Sequence, residues 1–167
     1  ADVPPVIGAD DPWHCRNKTA LPVGGTSQEP QLGFYRRRSH QIVPVEDCPI
    51  TMGPLSEVLA AVRAWMQENR VQPYSEETGK GLLRHVVVRT SRAGQLMVML
   101  VCTRPSLPGE GALISCLQAV PGFTTLVVNI NKARNNVILG SECRTLFGDG
   151  IIFENLLGLT FEISPLS

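Results

Sequence analysis

The feature that most limits what this chain can become is the apolar run Leu96–Cys102, LMVMLVC. It is the longest such run in the sequence, and it falls far short of the roughly 20 residues that a bilayer-spanning helix needs. Its length is that of a buried strand. A second strand-like segment, LLRHVVVRTS, lies just before it, with Arg92-Ala93-Gly94 between the two. Gly94 can supply the positive φ of a tight turn, so the pair reads as a hairpin.

A different period marks the segment upstream. Leu55, Val58, Leu59, Val62, Trp65 and Met66 recur at the three- and four-residue steps of one helical face. Pro54 suits a first helical turn, where its missing N–H would be unpaired anyway. Glu57, Arg63, Gln67 and Glu68 fall largely outside the stripe, which predicts an amphipathic helix lying on a sheet with Trp65 as a core anchor. A second helix is expected over Glu110–Val120, turning Leu113, Ile114, Leu117 and Val120 inward.

The remaining segments read as strands. HCRNKTALPV (residues 14–23) begins polar and ends apolar. GFYRRRSHQIVPV (residues 33–45) forms a hairpin that turns within Arg37–His40. TTLVVNIN, NNVIL, ECRTLFG and LTFEISP complete the set. The expected fold is therefore α+β, a mainly antiparallel sheet with two amphipathic helices packed on one face.

Apolar residues at 43% and charged residues at 18% suit a globular chain and exclude a disordered one. Fifteen basic residues balance fifteen acidic ones, so overall charge does not attract a polyanion and any such partner must be held by local charge. The densest positive charge is Arg36-Arg37-Arg38, at the predicted hairpin turn. Arg84, Arg89, Arg92, Lys132 and Arg134 extend it if the strands place them on one face. The planar guanidinium fork donates two bonds to a phosphate at once. Three adjacent strand residues cannot all face one way, so two of the three are expected to touch a phosphate. The bland alternative is a solvated turn.

Other chemistry is missing. No GxGxxG or Walker-type loop follows a strand, and Gly148-Asp149-Gly150 reads as a turn. His14, His40 and His85 have no metal-ligand spacing. Cys15 or Cys48 could pair with His40 as a nucleophile, but nothing in the sequence places them together. The five cysteines are odd in number and lack a CxxC pair, which suits a reducing, cytoplasmic setting. No membrane partner is expected. ADVPPVIGADDPWH lacks a basic start and an apolar core, so it is not a secretion signal; residues 1–12 are expected to form a flexible lead-in.

Several strings nevertheless resemble one family, the RNA uracil-C5 methyltransferases that act on ribosomal and transfer RNA. WHCRNKTALPV, GFYRRRSHQIVPVEDCPI, TGKGLLRHVVVRTS, VNINKARNNVILG and LLGLTFEISPLS match the family's words in order, from about Asp11 to Ser167. The resemblance implies that residues 13–167 are the central, RNA-contacting domain of such an enzyme, acting most nearly like the bacterial ribosomal RNA members. An RNA-binding domain would precede it. A C-terminal domain would follow, holding S-adenosylmethionine, the nucleophilic cysteine and the acidic base.

By this resemblance Arg16, Asn17 and Lys18 approach RNA near a flipped target nucleotide. The alternative is a solvated strand edge. Arg36, Arg37 and Arg38 would contact RNA as well. Cys48, in EDCPI, matches the position that gives one ligand to a [4Fe–4S] cluster in many bacterial members. The other three ligands would lie upstream of this chain, and members without the cluster make Cys48 an ordinary buried thiol. Cys15 stands where the family usually has an aromatic residue, which affects local packing. The partners implied are RNA and the enzyme's own catalytic domain. The competing reading is a non-catalytic RNA-binding or assembly scaffold, which continuation of the reading frame into a catalytic domain would eliminate. If the resemblance is right, calorimetry of the 167-residue chain with S-adenosylmethionine should show no binding heat; saturable binding would overturn the domain assignment.

Overall fold

The computed structural model describes residues 3–167. Nine strands and two helices follow in the order β1 (Lys18–Gly25), β2 (Pro30–Tyr35), β3 (Ile42–Pro44), α1 (Leu55–Glu68), β4 (Leu83–Thr90), β5 (Leu96–Cys102), α2 (Glu110–Gln118), β6 (Phe123–Ile130), β7 (Glu142–Phe147), β8 (Ile152–Leu156) and β9 (Leu159–Ile163). Seven strands form one sheet in the order β3-β2-β1-β4-β5-β6-β7, and β8 and β9 form a separate hairpin. All neighbours in the large sheet are antiparallel except β5 and β6, which run parallel. A parallel pair needs a crossover, and α2 supplies it. The fold is α+β, as the sequence predicts.

Both helices bury their apolar side chains in one cluster with the sheet. The cluster joins Leu55, Leu59, Trp65 and Met66 of α1 and Leu113 and Leu117 of α2 to Val86, Val88, Val98, Leu100 and Leu126. The six positions of the predicted α1 stripe are the buried residues of that helix. Pro54 sits at the N-cap, just before the first turn. Helix α2 stops at Gln118, short of the predicted Val120, with Val120 N–H donating to the Leu117 carbonyl. Trp65 is buried, and its indole Nε1 donates to the Pro108 carbonyl at 2.8 Å. That bond ties α1 to the loop that starts α2.

The β4–β5 hairpin closes as predicted. Gly94 has φ +78°, and its N–H donates to the Ser91 carbonyl at 2.9 Å. Two expectations fail downstream. NNVIL is no strand: residues 131–140 form a loop against the second face of the sheet. Its backbone groups are met by side chains instead of a ladder partner. Asn131 Nδ2 donates to the Val137 and Ile138 carbonyls at 2.7 and 3.0 Å, and Asn129 Nδ2 donates to the Gly140 carbonyl at 2.8 Å. The second miss is β8, which the sequence reading passed over. It pairs with β9 through a turn at Leu157 and Gly158, both at positive φ. Leucine is an unusual residue there, so the turn carries none of the usual Asn-Gly or Asp-Gly signal.

Residues 3–12 have no regular secondary structure and are exposed; the part of the expected lead-in at residues 1 and 2 lies outside the described residues. Among the described residues no helix is long and apolar enough to cross a membrane.

Replacing the buried Trp65 tests the α1–α2 junction. Trp65→Ala should cost about 3–5 kcal/mol by emptying the core site. Trp65→Phe keeps most of the volume, and its loss of about 1–2 kcal/mol comes mainly from the orphaned carbonyl. Urea unfolding of both variants checks this, and a Trp65→Phe variant as stable as the parent would mean the hydrogen bond contributes nothing.

Candidate nucleic-acid interface

The sheet's second face decides where polar side chains can gather. Alternation along β4 puts Val86 and Val88 in the helix-facing cluster. Val87 packs on the other face with Met99, Val101 and Val127. His85 and Arg89 share the face of Val87 by the same alternation. On β1, Lys18 and Ala20 lie on that face too, because Ala20 packs against the second cluster.

A bulge interrupts β4 at its start. Leu83 pairs with Cys102 and His85 with Val101, leaving Arg84 as the extra residue. Bulges re-aim side chains, and here the guanidinium reaches the loop of residues 131–140. Arg84 Nη1 donates to the Asn131 and Ala133 carbonyls at 3.1 and 2.6 Å. The same guanidinium lies 4.6 Å from the centre of the Tyr74 ring. Arg84 is thus a buried cation satisfied by carbonyls and a ring face.

The β2–β3 hairpin supplies the facing wall. Its turn is closed by Arg36 N–H to the Gln41 carbonyl at 2.8 Å and Ser39 N–H to the Arg36 carbonyl at 3.0 Å, with Arg38 at φ +58°. Tyr35 and His40 meet edge to face with ring centres 5.6 Å apart. Between this tip and the 131–140 loop lies a cleft of about 550 Å³. Arg36, Arg37 and Arg38 line it with Tyr35, His40 and Glu76; Arg84, His85 and residues 135–138 complete the lining. Arg134 joins Arg84, Glu76 and Asn135 in an adjoining recess. Gly79 makes room for it: a Cβ there would stand 1.9 Å from the Arg134 guanidinium.

The arginines at the cleft are not engaged in ion pairs. Among the described residues, ion pairs within 4.0 Å join Arg63 to Glu46 and Arg144 to Glu110. None involves Arg36, Arg37, Arg38, Arg84 or Arg134. Burial raises the Tyr35 hydroxyl above its ordinary value, the Glu76 carboxylate adds to the rise, and the Arg84 charge opposes it. His85 is 7% exposed and its Nδ1 has no hydrogen-bond partner. Burial, reinforced by the Arg84 charge, pushes its imidazole down to about 4.

Arg16, Asn17 and Lys18 fall elsewhere. Arg16 exchanges backbone bonds with Ile50 and Met52, and the Asn17 carbonyl accepts from Thr90 N–H at 3.0 Å. Lys18 stands directly opposite Arg89. Burial and the Arg89 charge both lower the Lys18 ammonium from its ordinary value. Arg89 Nε and Nη2 are buried without partners. The sequence therefore marks two basic regions, and the structure completes each with a β4 residue. Arg84 and Arg89 were candidates by charge alone. His85 was passed over; its one signal was a polar residue opening an otherwise apolar strand.

Cys48 is half-buried and packs against the helix-facing core. Among the described residues no three His, Cys, Asp or Glu side chains gather to hold a metal. This chain offers a cluster one thiol and no assembled site. His40 packs on Tyr35 while the Cys15 thiol donates to the Pro12 carbonyl at 3.3 Å, so neither partner of the conceivable nucleophilic pair engages the other. The parallel β5–α2–β6 unit is the one place where the topology resembles a cofactor-binding crossover. Its helix start is filled by the chain itself: Glu110 accepts from Leu107 N–H at 3.1 Å and from Arg144 at 2.7 and 3.0 Å. These residues do not fit S-adenosylmethionine.

Comparison with known proteins bears on homology and fold. No family model matches the chain. An uncharacterized RNA methyltransferase of Clostridium acetobutylicum is 37% identical over 163 residues, 96% of this chain and 35% of that protein. One of Staphylococcus aureus is 38% identical over 164 residues, 96% of this chain and 36% of that protein. One of Listeria innocua is 36% identical over 167 residues, 99% of this chain and 37% of that protein. The chain is homologous to one segment of such proteins and spans little more than a third of their length. The crystal structure of Pyrococcus abyssi tRNA (uracil-54, C5)-methyltransferase in complex with S-adenosyl-L-homocysteine superposes with a TM-score of 0.78 at 20% identity. That match covers 96% of this chain and 37% of the other, and it establishes the fold.

The buried imidazole makes stability depend on pH. Its folded value lies near 4 and its ordinary value at 6.5. Below pH 6.5 the unfolded chain takes up a proton that the folded chain refuses, so stability falls as pH drops, until about pH 4. The loss approaches about 3.5 kcal/mol at most, at about 1.4 kcal/mol per pH unit. Urea midpoints at pH 7 and pH 4.5 should differ less in His85→Phe than in the parent; an unchanged difference would assign the acid sensitivity to other groups.

Proposed function

We propose that this chain is the central, RNA-gripping domain of an S-adenosylmethionine-dependent RNA uracil-C5 methyltransferase. Residues 13–167 would stand between an N-terminal RNA-binding domain and a C-terminal catalytic domain. The observation that carries the reading is the cleft rimmed by Arg36, Arg37 and Arg38, cations without carboxylate partners on a chain of zero net charge. Uncompensated guanidinium groups around a concave surface suit a phosphate backbone. The sequence homology and the fold support the enzyme class. S-adenosylmethionine would supply the methyl group from the catalytic domain, and this chain's residues would hold and orient the RNA.

Arg16 and Lys18 would hold backbone near the target uridine, with Asn17 beside them. Arg89 deepens that second region, because two like charges directly opposite on a sheet repel each other until an anion lies between them. Ribosomal RNA is the substrate class that the sequence resemblance favours. Transfer RNA is the class named for the Pyrococcus abyssi protein. Cys48 would bind a [4Fe–4S] cluster only with cysteines from outside this chain.

RNA binding by the 167-residue chain should be strongly salt-dependent. Fluorescence anisotropy with a ribosomal RNA stem-loop and a transfer RNA transcript measures affinity at several salt concentrations. Replacing Arg36, Arg37 and Arg38 together by Gln should remove two phosphate contacts and reduce the slope of log K against log salt by about 1.5. Arg16→Ala should weaken both RNAs without altering the unfolding midpoint. Salt-insensitive binding, or no binding, would overturn the proposal, and the tighter RNA identifies the substrate class.

A further inference from the structure

The cleft is more than a basic groove, and its floor does not suit a phosphate. His85 is neutral near pH 7 because burial and Arg84 depress its proton affinity, so it brings no charge to an anion. A neutral imidazole offers one donor and one acceptor. Its unpartnered Nδ1 belongs to a side chain more than nine-tenths buried that lines the cleft. Such an atom calls for a partner, and the described protein atoms provide none.

The other lining groups point to the same class of partner. Tyr35 offers an aromatic ring that is 42% exposed, while Val137 and Ile138 are exposed apolar groups on the opposing loop. Asn135 and Asn136 add amides that both donate and accept. Glu76 places a carboxylate in the lining, which repels phosphate from the interior and accepts hydrogen bonds from an amine. The arginines of the hairpin tip gather at one wall. A volume near 550 Å³ falls within the range of about 300–1,000 Å³ found for small-ligand sites.

We propose that this cleft receives one unstacked nucleotide of the RNA, its base carrying an exocyclic amine and its phosphate held by Arg36, Arg37 or Arg38. The base lies between Tyr35 and the Val137–Ile138 edge, with the His85 imidazole and Glu76 reading its polar edge. Unstacked bases are the part of RNA that side chains read most readily, through aromatic stacking and hydrogen bonds to the base edge. Adenine, cytosine and guanine have the amine that Glu76 accepts from, and uracil does not. The nucleotide in the cleft is therefore a neighbour of the methylated uridine and not the target itself. This inference rests on the RNA-gripping reading above.

The test titrates the 167-residue chain with AMP, CMP, UMP and inorganic phosphate at fixed ionic strength, following the His85 ring signals by NMR. AMP and CMP should shift those signals and bind about tenfold more tightly than phosphate, a difference of one hydrogen-bonded, stacked base. His85→Phe should weaken AMP about tenfold while leaving phosphate affinity unchanged. Glu76→Ala, on the exposed rim and safe for folding, removes the acceptor and should abolish the preference of CMP over UMP. Equal binding of AMP and phosphate with silent His85 signals overturns the proposal. So does a CMP preference that survives Glu76→Ala. If nucleotides fail while RNA still binds with a salt dependence, this inference falls and the RNA-gripping reading stands. If nucleotides bind but RNA does not, both fall, and the cleft is a mononucleotide site.

Discussion

A strand buried on both faces forces the rest of this fold. Every residue of β5, from Leu96 to Cys102, is withdrawn from solvent, so the sheet needs cover on two sides. The helices cover one side, and among the described residues there is no third helix for the other. The second face is covered by the 131–140 loop, with Leu139 packed against Val87, Met99, Val101 and Val127. A loop laid against an apolar surface cannot leave its carbonyls and amides unpaired. Arg84 near the start of β4, Asn129 near the end of β6 and Asn131 just after it answer that need, through seven hydrogen bonds to the loop's backbone or from it.

That solution has a functional by-product. Once a loop and not a helix closes the face, its outer surface is free to carry polar residues, and Lys132, Arg134, Asn135 and Asn136 are all exposed. Strand β2 pairs with β1 only from Val23 to Gly25, so its continuation toward Tyr35 is released from the ladder. The β2–β3 tip then lies across from the loop, and the cleft forms between them. Arg84 holds the loop while lining the same cleft. Its charge marked it as a candidate, but its bonds to the loop could not be read from charge.

Legibility in the sequence tracked the range of the interactions. The α1 stripe, the Gly94 turn and the Trp65 anchor were readable because spacing and local conformation decide them. NNVIL was misread because its apolar residues resemble a short strand, whereas the deciding contacts come from Asn129 and Asn131, on strand β6 and at its end. β8 was missed because Leu157 adopts a backbone conformation that leucine seldom takes. Arg36, Arg37 and Arg38 could be found by charge density. His85 could not, since its interest lies in a nitrogen left unpartnered only after β4, the hairpin tip and the loop have come together.

The two basic regions are joined by the geometry of β4. His85 and Arg89 are four residues apart on one face, about 13 Å at the rise of an extended strand. Val87 lies between them, sealed beneath the covering loop. A polynucleotide held at both ends would therefore pass over that loop and not along the strand itself. Zero net charge does not oppose such a partner, because part of the acidic charge is engaged on the helix-bearing side, Glu46 with Arg63 and Glu110 with Arg144. Segregation of charge, more than its sum, distinguishes this face, and the loop that the buried strand requires carries part of that charge.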